Sequence, residues 1–121
     1  MEHASDEIRK TVQTWKDVTI HPHRFGGIEF RLGKRELGHL HGDSLLDIPF
    51  PIRVKEELVT AQEAQKHHIF PDSGWISYRI RSRDDIEHAL DLLHRSFEIA
   101  VNALARRTAD NRFTIAKGPQ E

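Results

Sequence analysis

The stretch HPHRFGGIEFRLGKRELGHLHGD, residues 21–43, decides how the sheet is registered and holds four of the nine histidines. Within it, IEFRL alternates Ile28, Phe30 and Leu32 with Glu29 and Arg31, the period of a strand with one buried face. Gly33-Lys34 follows, a Gly-first pair suited to a two-residue hairpin turn. Leu32 then pairs with Arg35, Arg31 with Glu36, Phe30 with Leu37, Glu29 with Gly38, and Ile28 with His39. Opposite charges meet on one face and apolar groups on the other, the cross-strand chemistry of a sound register. In this register His39 and His41 are in phase with Ile28, Phe30 and Leu37, whereas His21 and His23 are out of phase with Val18 and Ile20. The two H-x-H pairs are therefore expected on opposite faces. A four-histidine centre would need a bulge near Phe25-Gly26-Gly27 to reverse the parity.

Upstream, VTIHPH sets Val18, Ile20 and Pro22 against Thr19, His21 and His23, and Pro22 marks this strand as an edge or its end. Before it, Ser5 can cap a helix whose stripe is Ile8, Val12 and Trp15. Downstream, Pro51 suits the first position of a short helix that buries Val54, Leu58 and Ala61 and leaves Arg53, Lys55, Glu56 and Glu57 outside. HHIF and WISYRI flank Pro71, Asp72, Ser73 and Gly74 and read as a second hairpin, with Ile76, Tyr78 and Ile80 inward. Ser82 and Asp85 form a capping box, and Ile86, Leu90, Leu93, Phe97, Ala100 and Leu104 carry a long helix to about Arg107. The order helix, three strands, helix, two strands, helix predicts an α+β two-layer sandwich. Its antiparallel sheet is expected to have five strands, with helices on one face. Residues 1–107 are expected to form one domain and 108–121, with Gly118 and Pro119, a tail.

Eighteen Lys and Arg balance nineteen Asp and Glu, so no net field draws the whole chain to nucleic acid or an acidic membrane. The absence of cysteine excludes disulfides and thiolate chemistry, and no apolar run is long enough to span a bilayer. A cytoplasmic protein is expected.

Two imidazoles at i and i+2 on a strand lie about 7 Å apart and can supply half of a metal site. Because the register separates the two pairs, no metal or other cofactor is expected, and a histidine-dependent metal enzyme or hydrolase ranks third among the functions. The candidate ligand pocket lies where the third strand ends, at His39, His41 and Asp43, with His67, His68, Asp72, Ser73 and Trp75 approaching from the later hairpin. Carboxylate beside imidazole is a recurring ligand-binding and acid–base pair. On the open face, Arg31, Lys34, Arg35, Arg79 and Arg81 could clamp phosphates of nucleic acid, although Glu29 and Glu36 share that face. Leu40 and Trp75 could instead meet their copies in a homodimer.

HPHRFGGIEFRLGKRELGHLHGD, PFPIRVKEELV, HHIFPDSGWISYRI and LLHRSFEIA together resemble the small bacterial and fungal "luciferase domain" family, over about Trp15 to Ala100. The HLHGD and PDSGW stretches are the most specific parts. More distantly, Trp75 through Ser96-Phe97 is similar to the MmcQ/YjbR proteins. That resemblance implies an α+β fold related to secretion chaperones and a DNA-binding label. No flavin or nucleotide phosphate loop accompanies the luciferase label. The leading expectation is a non-enzymatic module binding an unidentified small molecule or protein, with nucleic-acid binding as the alternative.

Overall fold

A computed structural model describes the backbone of residues 2–117 and the side chains of residues 2–110. The elements are α1 (Ala4–Val12), β1 (Val18–His23), a 3-10 turn (Arg24–Gly26), β2 (Gly27–Leu32), β3 (Arg35–His41), β4 (Leu45–Pro49), α2 (Ile52–Thr60), β5 (Gln65–Lys66), β6 (Trp75–Arg79) and α3 (Arg83–Lys117). The six strands form one antiparallel sheet in the order β1-β2-β3-β4-β6-β5. α3 crosses β2, β3 and β4, and α1 packs on α3. The Arg95–Glu57 ion pair at 3.2 Å joins α3 to α2, and His88 Nε2 donates to Glu63 O, just past the end of α2, at 2.8 Å. The α+β class and the antiparallel sheet agree with the sequence, and β1, which carries Pro22, is an edge strand.

Two strands depart from expectation. LLDIP is a central strand, because Asp47 is fully buried in a polar network that breaks the usual alternation. HHIF is not a strand. His67 Nδ1 accepts the backbone N–H groups of Ile69 and Phe70, both at 3.1 Å, so a side chain takes donors that a ladder would otherwise use. The short partner of β6 is instead Gln65–Lys66.

The hairpin begins as expected, with Leu32 opposite Arg35 and Arg31 opposite Glu36, and then shifts by one residue. Phe30 faces Gly38, Glu29 faces His39, and Ile28 faces Leu40. The bulge thus lies at Glu36-Leu37 on β3 rather than near Gly26-Gly27. Core packing accounts for it: Leu37 and Leu40, three apart, cannot both point inward from a regular strand, yet both are completely buried. The Leu37 carbonyl left by the bulge accepts the Ser96 hydroxyl of α3 at 2.8 Å. Gly38 fits beneath the same helix, where a Cβ would lie 2.9 Å from Leu93 Cδ2 and 3.0 Å from Asp47 O.

Local corrections have equally local causes. Ser5 lies inside α1, and its N–H donates to Asp43 Oδ1 at 2.9 Å, so the cap is supplied from across the sheet. Pro51 precedes α2 by one residue, and Ala61 is exposed. Lys55 is buried because its Nζ donates to Pro71 O at 2.7 Å. The capping box forms, with Ser82 N donating to Asp85 Oδ2 at 3.1 Å and Asp85 N to Ser82 Oγ at 3.4 Å. α3 runs past Arg107 to Lys117, through most of the expected tail, whose residues 118–121 lie outside those described. Among the described residues, no helix is long and apolar enough to cross a membrane.

Gly38→Ala should destabilise the protein by about 1–3 kcal/mol, the cost of overpacking a filled core. Urea unfolding checks this, and an unchanged midpoint would mean that Leu93 withdraws freely.

Candidate functional site

The bulge puts one polar row straight across the sheet. His21 lies opposite Glu29, Glu29 opposite His39, His39 opposite Asp47, Asp47 opposite Ser77, and Ser77 opposite Gln65. His23 and His41 share this face, so the two H-x-H pairs lie on the same side, contrary to the unbulged register. Three of the four imidazoles gather: the ring centroids of His23 and His39 are 3.9 Å apart, and those of His39 and His41 are 4.7 Å apart. His21 turns away to Thr19 Oγ1 at 2.8 Å.

Asp47 is the centre, with no solvent exposure. Its Oδ1 accepts the Ser77 hydroxyl at 2.7 Å, and its Oδ2 faces Nε2 of His41 at 3.0 Å, of His67 at 3.3 Å and of His39 at 3.4 Å. Burial opposes the carboxylate charge, but the hydrogen bonds from His39 and Ser77, the His67 interaction and the His41 bond hold Asp47 well below the usual carboxylate range.

The hydrogen bonds assign the protons. His67 accepts two peptide N–H groups at Nδ1, so its hydrogen sits on Nε2 and points at Asp47. Burial, opposed by the Asp47 charge and helped by neighbouring His68, pushes this imidazole toward the neutral form. His39 bridges two carboxylates, Asp47 at Nε2 and Glu36 at Nδ1, the latter at 2.6 Å. Burial works against its charge, but the two carboxylates raise its pKa to about 9, which makes it an imidazolium at neutral pH. His41 donates Nε2–H to the ionised Asp47, and no hydrogen bond to its Nδ1 occurs among the described residues. His23 holds Glu29 through Nδ1 at 2.9 Å, and Glu29 also receives the Arg31 guanidinium. Although burial opposes it, the bonds from Arg31 and His23 keep Glu29 ionised to lower pH than usual.

Above this floor opens a cavity of about 380 Å³. Its mouth is mostly apolar: Phe25 is fully exposed, Ile69 is 63% exposed and Phe70 58%, with Arg24 and His68 beside them. Phe25 adopts a left-handed backbone with φ of 58°, unusual for a bulky residue. Trp75 lies inside, its ring 5.3 Å from His39 and 5.9 Å from His67. A larger cavity, about 520 Å³, lies between the β2–β3 hairpin and α3, with Leu32, Lys34, Arg35 and Leu104 in its lining. Asp17 and His21 also line it, but His21 is bonded to Thr19 rather than to a carboxylate, and no buried charge organises the lining, so size does not select it.

Donor atoms of His39, His41 and Asp47, and of Asp47, His67 and His68, lie close enough to share an ion. The hydrogen bonds already commit most of them. His67 carries its hydrogen on Nε2, and both nitrogens of His39 are engaged by carboxylates. A metal would have to displace these protons, so the geometry fits a hydrogen-bonded site better.

The structure assembles His39, His41, His67, His68 and Trp75 from the sequence candidates. It does not bring in Asp43, which caps α1, or Asp72, which faces α2. Ser73 is spent on its own turn, donating to Phe70 O and accepting from Trp75 N. Of the basic residues, Arg31 is paired with Glu29. Lys34 and Arg35 lie at the hairpin tip, whereas Arg79 neighbours Leu45 and, beyond it, His41 at the other end of β3. Six residues of strand, roughly 20 Å, separate these groups and Arg81 just beyond, so they do not form one stripe. Leu40 is buried in the core and is not on the open face with Trp75. The sequence reading missed Asp47 itself, together with Phe25, Ile69 and Phe70; an aspartate among LLDIP's apolar residues was the available signal.

Residues 34–96 match the family model described as Luciferase domain. The chain belongs to the luciferase-domain family. The matched span carries Asp47, His39, His41, His67 and Trp75, while His23, Phe25 and Glu29 precede it. No curated protein and no solved structure gives a significant match to this luciferase-domain chain.

Asp47→Asn should cost about 3–5 kcal/mol in urea unfolding, because it removes the one carboxylate that Ser77, His39, His41 and His67 all face and leaves the buried His39 charge with Glu36 alone. A much smaller loss would mean that Glu36 suffices to hold that charge. His39 is raised from 6.5 to about 9, so its stabilisation is complete below pH 6.5 and fades as pH rises through about 9. Asp47 acts in the opposite sense, losing its contribution as pH falls below its ordinary value of 3.8. Unfolding midpoints should therefore decline on the alkaline side of pH 6.5, and His39→Gln should remove most of that slope. An alkaline slope retained in the variant would assign it to other groups.

Proposed function

We propose that this luciferase-domain protein binds a small, mostly apolar molecule in the histidine cavity, its polar end toward His41 and its body against Phe25, Phe70 and Trp75. The observation that carries this reading is the pairing of an exposed aromatic mouth with a fixed polar floor in one concave site. Phe25, Ile69 and Phe70 leave apolar area in water that a ligand would cover, at about 25 cal/mol per Å². The floor is preorganised, since Asp47 fixes the imidazoles around it before any ligand arrives and leaves the His41 Nδ1 lone pair without a protein donor among the described residues.

Calorimetric titration with 4-nitroanisole, a flat molecule with no acidic proton, tests the reading. One saturable site is expected, with Phe25→Ala and Phe70→Ala each weakening binding several-fold. No saturable site, or binding indifferent to both substitutions, would remove the basis of the proposal. Salt-sensitive retention on single-stranded DNA would instead favour phosphate recognition by the arginines.

A further inference from the structure

We infer that the cavity also performs acid–base chemistry, with His41 as general base toward an acidic O–H of the bound molecule, an enol or a phenol. This inference rests on the binding role proposed above and adds a reaction to it. Five imidazoles line the cavity, and their surroundings discriminate among them. His68 is exposed and stacks on His67, with no hydrogen bond to a carboxylate among the described residues to orient it. His67 spends Nδ1 on two peptide N–H groups and Nε2 on Asp47. His39 has a carboxylate at each nitrogen. His23 stacks against His39, and its carboxylate partner is shared with Arg31.

His41 is different. A fully buried carboxylate orients it through Nε2, its side chain is 34% exposed, and it lines the cavity with no protein partner among the described residues at Nδ1. A cavity-lining base oriented by a third group, with one ring nitrogen left unbonded by the protein, is the arrangement that proton abstraction requires. In the step, the ligand O–H bond breaks, its electron pair stays on oxygen, and the proton forms an N–H bond at His41 Nδ1. The resulting imidazolium rests on Asp47. The new oxyanion is balanced by that imidazolium, since both N–H groups of His39 are already held by carboxylates. On release, the proton leaves His41 for water or returns to the ligand.

4-Nitrophenol reports the step directly, because its anion absorbs visible light and the neutral phenol does not. Titrating it with the wild-type protein at a pH where most of the free phenol is neutral should raise the phenolate fraction several-fold. His41→Gln should abolish the rise, whereas His94→Gln, on α3 and outside the cavity, should preserve it. In the wild type, the ¹⁵N signal of His41 Nδ1 should move from the lone-pair to the protonated type as 4-nitrophenol saturates, a readout independent of any variant's folding. If 4-nitroanisole binds but 4-nitrophenol shows no gain in phenolate, or if the gain survives in His41→Gln, the base assignment fails while the binding site stands. A gain lost in His23→Gln and kept in His41→Gln transfers the role to His23. If neither compound binds, the binding reading fails and the base with it.

Discussion

A carboxylate in the middle of a sheet must be neutralised where it stands, and Asp47 imposes that condition on everything around it. Asp47 is fully buried on a central strand because the imidazoles and Ser77 close over it. An isolated buried charge of this kind costs several kcal/mol, which a single weak donor cannot offset. Four side chains from three parts of the chain converge instead: Ser77 from β6, His39 and His41 from β3, and His67 from the segment after β5. The cavity floor is therefore a product of charge compensation, and its geometry is as fixed as the core beneath it.

The bulge on β3 connects core and site. On the covered face it admits both Leu37 and Leu40, and on the open face it delivers His39 and His41 to Asp47. Without the extra residue, one leucine would face water and the histidines would lie against α3. Apolar burial and charge compensation thus favour the same irregularity, and Ser96 and Gly38 accommodate it. That agreement between levels is what makes a local defect in the ladder the more stable arrangement.

Features governed by neighbours in sequence were legible. The Gly33-Lys34 turn, the first two hairpin pairs, the Ser82–Asp85 box and the apolar stripe of α3 all depend on short spacings. What escaped depends on contacts between distant segments. Alternation cannot reveal a bulge whose cause is a helix lying 59 residues further along the chain, at Ser96. Nor can it identify β4, since Asp47 looks like a surface residue until the four donors are known. Several site histidines could be named because imidazoles are conspicuous, while the aromatic mouth could not, because nothing local distinguishes an exposed Phe25 or Phe70 from a buried one.

The segment from His67 to Gly74 is fastened at three points. His67 turns its beginning, the buried Lys55 ammonium holds Pro71 O, and Gly74 O accepts Phe50 N at 3.1 Å. Gly74 is seated so closely on Phe50 that no side chain could fit there. Between the first two fastenings Ile69 and Phe70 are themselves braced, their N–H groups on His67 Nδ1 and the Phe70 carbonyl on Ser73. The rim of the cavity on that side is therefore a stiff arch, its pitch set by α2 through Lys55 rather than by the sheet.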